Sequence, residues 1–183
     1  MGIKKNGITV KSFVEKYEKI ATQNLKDKYI NDNLKTVAYV GFLMKDSVAK
    51  NIVDTTTYKK DENGNKTDII EVKSSARYLF FTLNVIELYT NLIVDFTKAI
   101  DEYDLLVKSG LLPIIMSKLP EQEVAEFKTI LDMSFDDVMQ NEFSTQAFVT
   151  KQVTRISDLV NVLAPALSPI IDKIGEGIDN DDW

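Results

Sequence analysis

The sequence predicts a mainly α fold, a single-domain multi-helix bundle with one small β-hairpin at about residues 55–72, on three observations. First, Val149, Val153, Ile156, Val160, Leu163, Leu167, Ile170 and Ile174 follow one another at spacings of 4, 3, 4, 3, 4, 3 and 4. That two-in-seven apolar seam belongs to a helix lying against another helix. Second, residues 75–92 are apolar around nearly the whole circumference of a helix, through Tyr78, Leu79, Phe80, Phe81, Leu83, Val85, Ile86, Leu88 and Tyr89, as suits a central element. Third, β-branched residues flank Asn63-Gly64 between Thr55 and Val72, which is hairpin chemistry. With 183 residues and 44% hydrophobic content the chain supports one sizeable core. That core is expected over residues 1–174, with an acidic flexible tail over 175–183.

Taken in order, Ile3, Ile8 and Val10 around Asn6-Gly7 read as a short extended piece with a turn. Ser12 and Glu15 have the spacing of a capping box, so a helix is expected from there, burying Phe13, Val14, Tyr17 and Ile20 and turning Lys11, Lys16 and Lys19 outward. Residues 25–40 carry a mixed pattern with a turn or cap at Asn31-Asp32-Asn33. A helix over 42–53 follows, with Leu43, Val48, Ala49, Ile52 and Val53 as its apolar positions. A two-residue turn at Asn63-Gly64 would pair Thr57 with Ile70, Tyr58 with Ile69, Lys59 with Asp68 and Asp61 with Lys66, and two of these pairs are oppositely charged. Beyond the central helix, residues 98–109 read as a helix stopped by Gly110, and 111–119 as a short element bracketed by Pro113 and Pro120. Pro120 suits the first turn of a helix whose Glu121 and Glu123 complement its positive end and which packs through Val124, Phe127, Ile130, Leu131 and Val138.

In the last stretch, Phe148, Leu159, Val162, Ala166 and Ile171 widen the 149–174 seam into a broad face. It suits either a core helix of its own subunit or a seam between subunits. Pro165 and Pro169 predict a kink or a split near 164–168. Trp183 follows Asp179, Asn180, Asp181 and Asp182, and reads either as an inert frayed end or as an aromatic anchor steered by its acids towards a basic surface.

Composition removes most familiar chemistry. The chain has no cysteine, which excludes disulfides and thiol catalysis, and no histidine, the commonest general base and metal ligand. Asp61, Asn63, Asn65 and Asp68 resemble the start of a calcium loop, but Lys66 and Val72 stand where such a loop needs glycine and a bidentate glutamate. The clusters Asp132, Asp136, Asp137 and Asp101, Glu102, Asp104 lack any accompanying histidine or phosphate-cradling loop and read as solvated faces. The expectation is therefore no enzyme, no cofactor and no metal. There is no apolar run of about 18 residues to span a bilayer, and Met1-Gly2-Ile3-Lys4-Lys5-Asn6 lacks the apolar core of a secretory signal, so a soluble protein with no membrane partner is expected.

Charge is unevenly divided. Residues 1–60 hold 12 lysines against 6 carboxylates, a balance of +6, while residues 61–183 hold 10 cations against 22 carboxylates, a balance of −12. Such a division steers partners of opposite sign or lets copies stack basic end to acidic end. Lysine outnumbers arginine 20 to 2, which disfavours base-specific reading of nucleic acid.

Several segments taken together carry a family likeness: Asn6-Gly7-Ile8-Thr9-Val10-Lys11 ahead of Phe13; Tyr89-Thr90-Asn91-Leu92; Tyr103-Asp104-Leu105-Leu106 with Ser109-Gly110-Leu111; and Glu126-Phe127-Lys128-Thr129-Ile130-Leu131-Asp132-Met133. In these the chain resembles a group of small proteins encoded by tailed bacteriophages and prophages of low-GC Gram-positive bacteria. The resemblance implies a viral setting, in the virion or the host cytoplasm, and work in particle assembly with phage structural proteins or copies of itself as partners. The interaction residues expected from sequence are the seam positions Val149, Val153, Ile156, Val160 and Leu163, together with Trp183. Two other readings stand beside this one. The acidic two-thirds could imitate nucleic acid and inhibit a host defence or transcription protein, and Lys4, Lys5, Lys11, Lys16 and Lys19 could form a weak nucleic-acid surface.

Overall fold

The computed structural model describes residues 7–143 together with Val149, Val153, Thr154 and Ser157. The chain divides into two compact units, Met1–Phe135 and Asp136–Trp183. Element order is β1 (Ile8–Thr9), α1 (Val10–Glu18), α2 (Gln23–Asn33), α3 (Phe42–Thr57), β2 (Tyr58–Lys60), β3 (Lys66–Ile70), α4 (Ser74–Tyr89), β4 (Leu92–Ile93), a 3₁₀ turn (Phe96–Lys98), α5 (Ala99–Lys108), α6 (Leu111–Ser117) and α7 (Glu121–Phe143). The fold is mainly α, as the periodicity predicts.

The first helix begins three residues earlier than the Ser12–Glu15 box suggests. Ile8 and Thr9 pair in parallel with Leu92 and Ile93, and the Ile8 N–H donates to the Asn91 carbonyl at 3.1 Å. Thr9 then leaves the strand and caps α1, its Oγ1 accepting from the Ser12 N–H at 3.2 Å. Starting at Val10 places Val10, Phe13, Val14 and Tyr17 on one fully buried face. Lys11, Lys16 and Lys19 point outward as expected.

The core joins that face to Ile30 and Leu34, to Leu83 and Ile86 of α4, to Ala99 and Leu106 of α5, and to Leu111 and Ile115 of α6. α4 is central: it also packs against α3, and its Phe81 ring meets Phe127 of α7 at 5.4 Å. Its first turns are not enclosed, however, and Tyr78 is exposed. At the end of α4, the Asn91 side chain accepts from the Lys35 N–H at 2.8 Å and donates to the Asn33 carbonyl at 3.0 Å, while its own N–H donates to the Lys35 carbonyl. One amide thereby ties the end of α2 to the end of α4, a job the pattern of residues 25–40 does not reveal. Gly110, at φ 70°, separates α5 from α6, and Pro113 lies in the first turn of α6, where a missing N–H costs little. Pro120 stands just outside α7, its carbonyl accepting from Val124.

The hairpin exists, with a different turn and register. Residues 55–57 finish α3 instead of starting a strand; Thr56 Oγ1 donates back to the Ile52 carbonyl at 2.7 Å, which lets a threonine sit in a helix. The Asp61 N–H donates to Asn65 and the Gly64 N–H to Asp61, with Gly64 at φ 82°, so the loop has three residues and a left-handed glycine. Lys60 therefore pairs with Lys66 and Tyr58 with Ile70, with an irregularity between them, in place of Asp61 with Lys66 and Tyr58 with Ile69. The added loop residue is specified by Asp61, whose carboxylate accepts from the N–H groups of Asn63 and Asn65.

In the second unit Val149 and Val153 are helical and exposed, at 51% and 60%. The remaining seam positions, Ile156, Val160, Leu163, Leu167, Ile170 and Ile174, lie outside the described residues. So do the expected kink at 164–168, the 175–183 tail with Trp183, and Lys4 and Lys5.

Candidate functional site

α3 buries Lys45, Ala49, Ile52, Val53 and Thr56 along one side, so a lysine occupies the first position of a core-facing stripe. Lys45 is wholly inaccessible to solvent. Its Nζ donates to Glu126 Oε2 at 2.7 Å and to Glu123 Oε2 at 2.9 Å, both on the first turns of α7, and stands 5.4 Å from the centre of the Tyr39 ring. The Tyr89 hydroxyl, from the end of α4, donates to the Glu123 carbonyl at 3.1 Å, and the Val40 N–H reaches Glu123 Oε2 at 3.3 Å. Three helices and the segment before α3 thus meet on one ammonium and one carboxylate.

The electrostatics suit a brace between the helices. Burial alone would lower the Lys45 pKa, but the hydrogen bonds to Glu126 and Glu123 outweigh it and hold the value above that of an ordinary lysine. Glu123 is held below the usual glutamate value, chiefly by the hydrogen bond from Lys45. Burial pushes Tyr89 up to about 12. An amine that acts as nucleophile or base needs a depressed pKa, and Lys45 has the reverse. Breaking such a buried pair by deleting one partner typically costs about 3–5 kcal/mol.

What the brace holds is an exposed apolar turn. Tyr39, Phe42, Leu43 and Met44 are all exposed, Leu43 at 80%. Gly41 is the N-cap of α3 and no side chain caps it; the Met44 and Lys45 N–H groups close onto the Gly41 carbonyl at 3.0 and 3.2 Å. The first turn of a helix favours capping and acidic residues. Here it carries three large hydrophobic side chains facing water, the composition of a contact surface. The sequence reading placed Leu43 among the inward positions of this helix; the structure turns it outward, because the true inward stripe starts at Lys45. The signal available in the sequence was a lysine in phase with Ala49, Ile52, Val53 and Thr56, preceded by the uncharged run 38–44.

A second apolar surface is a shallow groove of about 430 Å³ lined by Phe81, Met116, Leu119, Val124 and Ala125, with Ser117, Glu121 and Lys128 at its polar positions. Lys128 is already paired with Asp132.

The candidate carboxylate clusters do not converge. Asp104 pairs with Lys108 at 3.3 Å on the outer side of α5, Asp101 is exposed, and Glu102 turns into the core. Asp61 spends its oxygens on its own loop, which lowers its pKa, chiefly through the Asn65 N–H. Among the described residues no group of three carboxylates could hold a metal ion. Among them, too, no helix is long and apolar enough to cross a membrane. Lys11, Lys16 and Lys19 lie along α1, with Lys11 3.9 Å from Glu15, and Val149 and Val153 lie in the second unit; none of these belongs to the Lys45 cluster. No family model, curated protein or solved structure matches the chain.

Proposed function

We propose that this protein is a structural or assembly component of a tailed-phage particle and works through protein–protein contacts, docking another particle protein on the Tyr39–Met44 turn. The observation that carries the reading is the pairing of an exposed apolar turn with a buried ion-pair brace. A rigid turn loses little conformational entropy on binding, so its exposed area converts more fully into affinity. The turn holds Tyr39, Phe42, Leu43 and Met44 exposed side by side, which suits an anchor that fills a partner's pocket. The phage setting comes from the sequence resemblance.

Mass spectrometry of purified virions and assembly intermediates tests the setting, and Leu43→Asp tests the surface. Leu43 is too exposed for aspartate there to disturb the core, so the variant is expected to melt within about 0.5 kcal/mol of the native protein. It should nevertheless be depleted from particles at least about tenfold. Absence of the native protein from both virions and intermediates would remove the assembly role; normal incorporation of the variant would remove the turn from it.

A further inference from the structure

The hairpin loop holds a reactive peptide unit. Of the two Asn-Gly pairs in the sequence, Asn6-Gly7 and Asn63-Gly64, the second lies in this loop with both residues exposed. Every other asparagine is followed by a residue with a side chain, which hinders approach of the next backbone nitrogen to the asparagine amide. Gly64 has none, and a Cβ placed there would meet nothing within 4 Å, so the loop leaves open space beside the amide. The Asn63 N–H donates to Asp61 Oδ1 at 2.9 Å, while its side-chain amide makes no hydrogen bond among the described residues.

We propose that Asn63 is a self-modification site whose reaction is restrained by a clasp centred on Asp61. The Gly64 backbone nitrogen attacks Cγ of Asn63, forming a C–N bond; its proton passes through solvent to the departing amide, whose C–N bond breaks to release ammonia. Water then opens the five-membered imide at either carbonyl, giving aspartate or isoaspartate. Water is the only co-reactant. Ring closure requires the peptide unit between Asn63 and Gly64 to rotate, and Asp61 holds that unit on both sides. Its Oδ1 accepts from the N–H groups of Asn63 and Asn65, at 2.9 and 2.7 Å, and its carbonyl accepts from the Gly64 N–H at 3.0 Å. Its Oδ2 accepts from Asn65 Nδ2 at 3.3 Å. Rotation of the unit costs some of these bonds, which is the restraint. Aspartate at 63 would set a third carboxylate beside Asp61 and Glu62. Isoaspartate would add a methylene to the backbone inside the clasp, and the strand register that Asp61 specifies would be lost. The chemistry does not depend on the docking role of the Tyr39–Met44 turn.

Incubation of the full chain in mildly alkaline buffer, followed by peptide mapping with mass spectrometry and isoaspartate quantitation, tests both the site and its restraint. The chain unfolded in urea sets the unrestrained rate at Asn63. The native chain is expected to react at least about tenfold more slowly, and Asp61→Ala at least about fivefold faster than native, the effect of roughly one net hydrogen bond. Asp61→Asn keeps an acceptor oxygen without the charge and should stay within about threefold of native, which separates hydrogen bonding from electrostatics. Asn6, read from the same digests, should not respond to either change. Far-UV circular dichroism confirms that each variant folds. Asn63 left intact in the unfolded chain would overturn the site. A native rate equal to the unfolded one, Asp61→Ala no faster than native, Asp61→Asn as fast as Asp61→Ala, or equal acceleration at Asn6 would each overturn the restraint.

Discussion

Two carboxylates in this molecule, the buried Glu102 and the half-buried Glu123, have opposite relations to pH. Glu102 is 8% exposed and its Oε2 has no hydrogen-bond partner among the described residues. Burial raises its pKa, Asp95 and Asp101 raise it further, and Lys98 and Lys11 act against them. A carboxyl whose folded pKa is raised binds its proton more tightly when folded, so stability is highest below the ordinary glutamate value and falls as pH rises through the folded one. Glu123 is the reverse. Its pKa is lowered by Lys45, so its contribution is present above the ordinary value and is lost as pH falls through the folded one. Denaturant melts across the acid range should therefore show Glu102→Gln flattening the loss of stability on raising pH, while Glu123→Gln removes the loss on lowering it. If Glu102→Gln leaves the pH profile of the native protein unchanged, the Glu102 carboxyl is not titrating in a buried setting.

Among the elements, the parallel contact of β1 with β4 is short and depends on a glycine. A Cβ on Gly7 would lie 2.6 Å from Ile93 Cγ1 and 3.0 Å from the Asn91 carbonyl oxygen. Gly7→Ala is expected to destabilise the fold by about 1–3 kcal/mol through this overpacking. The same substitution in an Ile93→Ala background should cost clearly less, as the clash with the isoleucine is then relieved. Equal costs in the two backgrounds, measured by chemical denaturation, would place the strain elsewhere. The hairpin teaches a related lesson about register. Its strands and glycine were legible from β-branched content and Asn63-Gly64, but a loop one residue longer shifts the pairing, and a shift of one residue exchanges the two faces of a strand. The deciding interaction is the Asp61 carboxylate reaching Asn63 and Asn65, a hydrogen bond that alternation of residue types does not encode.

For the whole molecule, the Lys45 cluster is the joint that matters most, since it links α3, the end of α4 and the start of α7 across sequence separations of about 80 residues. Lys45→Ala leaves two carboxylates facing each other without their cation, and is expected to cost about 3–5 kcal/mol. Combining Lys45→Met with Glu123→Gln and Glu126→Gln removes the uncompensated charge and should recover a large part of that loss. Hydrogen exchange should localise the damage in Lys45→Ala to residues 34–45 and 121–127 before the rest of the core opens. Uniform loss of protection would mean that the cluster is no more than one contact among many. On the alkaline side, Lys45 has a raised pKa, so its contribution is complete below the ordinary lysine value and is lost as pH rises through the folded one.

The mainly α class, the central helix, the glycine stop at 110 and the core positions Phe13, Val14, Tyr17, Phe127, Ile130 and Leu131 were determined by the sequence alone. Apolar periodicity and turn chemistry are local, and a helix or a glycine break expresses them wherever the chain goes. What only the tertiary structure decided involves partners distant in sequence. The Leu92–Ile93 segment pairs with Ile8 and Thr9 and moves the start of α1 forward to Thr9. Asn91 closes the end of α2 onto α4, and Glu123 and Glu126 turn a lysine into a core residue. That last interaction fixes the inward face of α3 at Lys45, with Leu43 and Met44 turned away from it, and Phe42 at the helix start is exposed as well. A lysine read without its carboxylates is a surface residue, since burying an unpaired ammonium is prohibitive. Only the fold brings it two carboxylates within 3 Å, and so only the fold creates the exposed turn beside it.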